Sequence, residues 1–147
     1  MVSRLPRNIG ERELAVVAQE LEWTDLRVED VTAASGPGNA LIMEVESEHV
    51  TEVFTGFGER GVRAETVAWG AVEEVRGYLE AGVPVGSRLA DQLLLPLALA
   101  GGGAYRTLAP TLHTTTNVSV LERFLELKVK CKPVAGAVWR VEVGRKG

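Results

Sequence analysis

Residues 82–86, Gly-Val-Pro-Val-Gly, limit what this chain can fold into more than any other stretch. Two glycines and a proline in five positions continue neither a helix nor a central strand. Periodic sequence nevertheless lies on both sides. Before the break, Val67, Ala71, Val75, Tyr78 and Leu79 fall on one face of a helix predicted from about Ala64 to Glu80. After it, Arg88 to Ala100 carries a second helical pattern. One helix therefore stops and another begins, and two parts are expected, 1–82 and 83–147. Charge divides at the same place. Residues 1–80 hold 7 basic and 16 acidic side chains, whereas 81–147 hold 9 basic and 4 acidic ones. A chain of 147 residues suffices for one ordinary domain or two small ones sharing a boundary.

In the first part Leu14, Val17, Ala18 and Leu21 recur at helical spacing within Gly10–Glu22. A strand is expected around Leu26–Val31. Ser35-Gly36-Pro37-Gly38-Asn39 forms a turn, and Leu41, Met43 and Val45 then alternate with Ile42, Glu44 and Glu46 as a strand buried on one side. Val50–Phe57 is its antiparallel hairpin partner, which leaves His49 solvated in the turn. In the second part the helix from Arg88 is apolar on all sides from Leu93 onward and is expected to be buried, with a kink at Pro96. Gly101-Gly102-Gly103 ends it. A short strand at Ala104–Leu108, a helix at Thr114–Leu127 with Val118, Leu121 and Leu125 inward, and a hairpin of Val129–Val134 with Ala137–Val143 complete an α+β chain.

Hydrophobic residues form 46% and charged residues 24% of the sequence, so a folded core is expected. No apolar run approaches the roughly 20 residues of a membrane span, and the first residues lack a signal-peptide pattern, so the expected compartment is the cytoplasm. Cys131 alternates with Lys130 and Lys132 and reads as an inward strand residue. Lys128, Lys130, Lys132, Arg140, Arg145 and Lys146 could face phosphates, or could form the solvated, aggregation-resistant face of a strand.

Two places carry candidate chemistry. Arg88, Asp91 and Gln92 put polar groups on the first turn of an otherwise apolar helix. Asp91 suits a helix N-terminus for electrostatic reasons alone, and the three together could also hold a ribose, a base or a metal. In Pro110-Thr111-Leu112-His113-Thr114-Thr115-Thr116-Asn117, hydroxyls and an amide surround one imidazole just before a helix, where exposed amides suit an anion. Imidazole can attack phosphorus without a strong base and can later leave. A lone histidine is more often a hydrogen-bonded structural residue, and spacing alone leaves both readings open. There is no Gly-x-x-x-x-Gly-Lys loop and no His/Cys spacing of a zinc site.

Taken together, Pro6–Leu14, Gly36-Pro37-Gly38-Asn39, Phe57–Glu65, Leu89-Ala90-Asp91-Gln92-Leu93 and Leu112–Asn117 leading to Glu122-Arg123-Phe124 resemble the RNA 3′-terminal phosphate cyclase family, in its order and over nearly the whole chain. The resemblance is to the C-terminal part of that family. It implies a remnant of a small inserted α/β domain at 1–82, without its first strand, followed by one helix-on-sheet catalytic unit at 83–147. The implied activity is ATP-dependent conversion of an RNA 3′-phosphate to a 2′,3′-cyclic phosphate through a covalent histidine-AMP. His113 matches the nucleophile, and Arg88, Leu89, Ala90, Asp91 and Gln92 match the ATP-contacting stretch. Mg²⁺ or Mn²⁺ is implied as charge neutraliser. Arg88 stands where the family often has an aromatic residue. RNA 3′-phosphate ends and a separate N-terminal half are the implied partners. A non-catalytic cyclase-like scaffold in ribosome assembly is the alternative, and a small-molecule transferase of the related enolpyruvyl-transferase architecture is a third.

Overall fold

The computed structural model describes residues 1–145; Lys146 of the basic group lies outside them. The chain forms two compact units, Met1–Ser47 with Val53–Gly77, and Glu48–Glu52 with the chain from Tyr78 onward.

The first unit contains β1 (Val2–Ser3), α1 (Asn8–Leu21), β2 (Gly38–Glu46), most of β3 (Thr51–Phe57) and most of α2 (Ala64–Ala81). Its sheet runs β1-β2-β3. Leu41 and Met43 of β2, Phe54 of β3 and Val17 of α1 are buried, with Ala64, Ala68, Ala71, Val72 and Val75 of α2. The buried stripe of α2 is one position wider than its large side chains suggest, because small alanines allow close approach. Leu79, placed inward by periodicity, is exposed. The expected strand at 26–31 is replaced by an extended segment with a single parallel bridge, Val2 to Asp30. The Val2 amide donates to the Glu29 carbonyl at 2.8 Å and the Val31 amide to the Val2 carbonyl at 2.8 Å. The third strand is instead β1, antiparallel to β2 with Val2 opposite Asn39. Two residues are too few for a visible alternation, which is why this pairing is hidden in the sequence. Gly10 permits the packing of this corner, since a Cβ there would stand 3.0 Å from Val2 and 3.1 Å from Val28.

The second unit is two helices on an antiparallel sheet. It contains α3 (Ser87–Leu99), β4 (Gly103–Thr107), α4 (Leu112–Phe124), β5 (Leu127–Ala135) and β6 (Val138–Arg145). The sheet order is β4-β6-β5, so β6 is central. Val85, Ala90, Leu94, Tyr105, Leu121, Leu127, Val129, Val141 and Val143 form its core, with Val118, Leu125 and Cys131 packed against it. Leu94 is fully buried, and truncating it to alanine removes about 2–5 kcal/mol.

Two expectations change here. α3 is not buried all round: on its outer face Leu95 is exposed and Leu99 is 73% exposed. An open sheet offers a helix one face to cover, and the opposite side of α3 meets none of the described residues closely enough to be shielded. As expected, α3 runs through Pro96 and stops at Leu99, just before the three glycines. The second correction is that α4 begins at Leu112, two residues earlier than its apolar periodicity indicates, because Thr111 caps it. Among the described residues no helix is long and apolar enough to cross a membrane.

Candidate functional site

The start of α3 is an electrostatically closed helix end. Its N-cap residue, Gly86, has no side chain to cap with. Its amide donates instead to Oε1 of Glu52 at 2.5 Å. Glu52 is buried, and a Cβ at residue 86 would lie 2.9 Å from its Oε2, so glycine is needed for the carboxylate to approach. Burial pushes the Glu52 carboxyl above its ordinary range, partly offset by the Gly86 hydrogen bond. Glu52 lies outside both candidate stretches of the sequence. The signal was its inward register beside Phe54 in the alternation of β3, a carboxylate where an apolar residue is expected.

Beyond this cap, Arg88 and Gln92 are exposed, one turn apart on the outer face of α3. Leu89 is half-buried against the core and Ala90 is buried. The side chains of Leu89 and Ala90 face inward. The Ala90 carbonyl accepts from the Tyr105 hydroxyl at 2.5 Å, and burial keeps that hydroxyl protonated far above its usual range. Asp91 is half-buried.

The start of α4 is open. Thr111 Oγ1 accepts from the Thr114 amide at 3.2 Å, and the Thr114 hydroxyl, itself buried, lies 3.1 Å from Thr111 Oγ1. The Thr115 hydroxyl donates to the carbonyls of Thr111 and Leu112 at 3.2 and 3.1 Å. Two of the three threonines after His113 are thus engaged in building the helix end. That leaves the amides of Leu112 and His113, which no intrahelical carbonyl can reach, on the positive pole of α4. His113 sits in this first turn with its imidazole exposed. One turn on, Asn117 Nδ2 donates to Asp91 Oδ1 at 3.0 Å and to the Asp91 carbonyl at 3.3 Å. Asn117 and His113 share a face of α4. The two candidate stretches, far apart in sequence, are therefore tied together by a side chain four residues from the imidazole. The arrangement puts an exposed imidazole and first-turn amides at α4, and exposed polar side chains at α3. Among the described residues no group of three or more His, Cys, Asp or Glu could cage a metal ion.

The remaining singled-out segments serve the fold of the first unit. Glu13 is buried and accepts from Asn39 Nδ2 at 2.5 Å, while the Asn39 carbonyl accepts from the Gly58 amide at 3.0 Å. Arg12 grips Glu65 with two hydrogen bonds, 2.7 and 2.6 Å, which holds the Glu65 carboxyl down at about 2. His49 is exposed, 3.7 Å from Glu48.

The sequence pattern of the RNA 3′-terminal phosphate cyclase (RTC) insert domain matches residues 1–80, more than half of the chain. The chain is 42% identical over 140 residues to an RNA 3′-terminal phosphate cyclase of Pseudomonas fluorescens, which covers 94% of the chain and 41% of that relative. It is 42% identical over 144 residues to that of Ralstonia nicotianae, with 97% and 42% covered. To that of Salmonella typhimurium it is 41% identical over 132 residues, with 90% and 39% covered. The chain thus spans about two fifths of the length of the curated relatives it matches. With its first unit matched to the insert domain and its second running on through the same relatives, the chain belongs to the RNA 3′-terminal phosphate cyclase family.

Proposed function

We propose that the chain supplies the histidine-bearing part of an ATP-dependent RNA 3′-phosphate cyclase, acting in the cytoplasm on RNA 3′-phosphate ends. A ring nitrogen of His113 bonds to the α-phosphorus of ATP as the bond to pyrophosphate breaks. An oxygen of the RNA 3′-phosphate then takes the AMP from the histidine. The neighbouring 2′-hydroxyl finally attacks that 3′-phosphate, expelling AMP and closing the 2′,3′-cyclic phosphate. The observation that supports this reading best is the Asn117–Asp91 contact, which ties the exposed imidazole's helix to the Arg88–Gln92 turn.

Each residue has a physical task in this reading. The positive pole of α4 and the amides of Leu112 and His113 stabilise negative charge gathering at phosphorus. Asn117 fixes α4 against Asp91, so the imidazole approaches from one direction. Arg88 and Gln92 present side chains to the nucleotide, and Leu89 and Ala90 contribute by shaping the turn. A divalent ion, Mg²⁺ or Mn²⁺, supplies charge neutralisation at the phosphates when bound.

The remainder of a family-length protein completes the cleft. Leu95, Leu99, Leu112 and Phe124 leave the outer faces of α3 and α4 apolar and exposed, a surface suited to packing against further protein. The test is incubation with α-labelled ATP and Mg²⁺, with and without the N-terminal portion of a relative supplied as a separate chain. Label stable to alkali and released by acid is expected only in the complemented sample, and it should vanish in His113→Ala. Labelling that survives His113→Ala refutes the assignment. RNA binding without labelling in the complemented sample would favour a non-catalytic scaffold instead.

A further inference from the structure

The sheet of the second unit has a second face, and its chemistry is unlike that of an ordinary solvated surface. Tyr105, Thr107, Leu127, Val129, Val141 and Val143 point inward and are buried. The alternation therefore points Arg106 of β4, Lys128, Lys130 and Lys132 of β5, and Arg140 and Glu142 of β6 outward. The register places these side chains in rows. Lys130 stands opposite Glu142, and Glu142 opposite Ala104. Lys132 stands opposite Arg140, and Arg140 opposite Arg106. Three cations thus lie abreast across all three strands, an arrangement that costs stability because like charges directly opposite repel.

Little on the protein relieves this. Glu142, the only outward acid of the three strands, is paired with Arg140 at 2.7 Å. Its carboxyl is held low by Arg140 first, and also by Lys132 and Lys130, so these cations converge on one short stretch of sheet. Lys128 pairs with Glu122 of α4 at 2.9 Å. Arg106, Lys130 and Lys132 have no ion-pair partner among the described residues. Protection of a sheet edge would explain lysines on β5. The same would cover Arg106 on the other edge strand, β4, but it does not explain an arginine between them on the central strand. At the other end of the face a shallow depression is lined by Lys128, Lys130, Ala104 and Gly144.

We propose that this outer sheet face docks the sugar-phosphate backbone of single-stranded RNA, the stretch preceding the reacting 3′ end. The inference rests on the RNA-directed reading above. The lysines of β5 repeat every second residue, about 6.8 Å apart, a regular array of point charges suited to successive phosphates. Val134, past Lys132 at the end of β5, is the one large apolar side chain exposed on that strand; from Lys128 to Lys132 the outward positions are all lysines, and a single valine is less than the aromatic or aliphatic cluster that anchors a protein partner or a membrane. Backbone docking of this kind reads charge and spacing, not sequence.

The experiment measures anisotropy of a 5′-labelled RNA oligonucleotide ending in a 3′-hydroxyl, which cannot be cyclised, against the intact chain over a range of salt. Lys130→Gln with Lys132→Gln should weaken binding on the order of tenfold at low salt. The double substitution should also flatten the slope of log affinity against log salt by about 1.4, since each single-strand phosphate contact contributes about 0.7. Lys130→Arg with Lys132→Arg should restore both, and Lys132→Gln alone should raise Tm by relieving the row of cations. Binding is read without ATP and without labelling of any residue, so failure of the catalytic reading would leave this result standing. Unchanged affinity and slope in the double Gln variant, no RNA binding at low salt, or tighter binding to phosphatidylserine vesicles than to RNA would each overturn the proposal.

Discussion

Gly58→Ala should be among the most costly single-methyl additions to this chain, and the reason lies in one asparagine. A Cβ at residue 58 would lie 1.8 Å from Asn39 Oδ1, 2.5 Å from its Cγ and 2.9 Å from its Nδ2. The glycine has no positive φ, so the effect is steric and not conformational. Asn39 cannot give way freely, because its Nδ2 donates to Glu13, a carboxylate only 2% exposed. Moving it leaves that carboxylate without its donor. Losing a hydrogen bond to a charged, buried group costs about 3 kcal/mol, which for a chain of this size lowers Tm by roughly 6–12 °C. Asn39→Ala should cost about the same, since it deletes the same donor. Gly58→Ala in the Asn39→Ala background should then cost less than about 0.5 kcal/mol, a large coupling in a double-mutant cycle. pH adds a sign. Burial raises the Glu13 carboxyl, and the Asn39 bond lowers it. A carboxyl raised in the folded state favours folding when protonated, so the Gly58→Ala deficit should shrink as pH falls below that raised value and grow toward neutrality. Urea unfolding followed by far-UV circular dichroism at pH 4.5 and 7.5 measures all of this. Equal cost of Gly58→Ala with and without Asn39 would refute the argument.

Glu52→Gln keeps an acceptor for the Gly86 amide while removing a buried charge. Because burial raises the Glu52 carboxyl, its favourable contribution is complete below the ordinary carboxylate range and is lost as pH rises through the folded value; the variant should gain stability relative to the parent at neutral pH and show a flatter stability profile between pH 4.5 and 8 in urea titrations. Thr107→Val should stabilise by about 1 kcal/mol in the same assay, since the Thr107 hydroxyl is buried with no hydrogen-bond partner. In protein complemented to family length, Arg88→Tyr should preserve or strengthen ATP binding by calorimetry, because a phenol ring stacks on adenine without adding charge, and Arg88→Ala should weaken it; unchanged affinity in both would mean that residue 88 does not face the base.

The sequence made the regular elements legible where burial is one-sided. The alternation of Leu41, Met43 and Val45 and the stripe through Ala71 and Val75 are direct imprints of a sheet face and a helix face. It was silent where structure depends on the backbone of two or three residues. β1 pairs through Val2 and Ser3, with Met1 exchanging main-chain bonds with Ala40, and the segment expected as a strand at 26–31 follows it through main-chain bonds that any side chains could make. Composition overstates the burial of α3 because it reports what a helix could bury, not what is there to bury it. Thr111 moved the start of α4 because a capping hydroxyl outranks apolar periodicity in setting a helix boundary.

The singled-out motifs divide by the unit in which they fall, and that division bears on the chemistry. Those of the first unit meet each other: Glu13 binds Asn39, Asn39 excludes a side chain at residue 58, and Arg12 holds Glu65. They specify a fold. Those of the second unit meet through Asp91 and Asn117, and there the two helix starts differ in kind. The pole of α3 already faces the carboxylate of Glu52, so an anion placed there would meet a negative charge in a poorly screened setting. The pole of α4 faces outward beside an exposed imidazole, and its cap, Thr111, is a neutral hydroxyl. On the proposed reading this asymmetry orients the nucleotide: its phosphates belong at the α4 start, within reach of His113, and its sugar and base belong toward Arg88 and Gln92 on α3. Replacing Thr111 by Asp would cap α4 equally well while placing a negative charge at that pole. The substitution should therefore leave stability within about 0.5 kcal/mol yet suppress nucleotide labelling of the complemented protein, and labelling at the parent rate would show that the α4 pole does not face the phosphates.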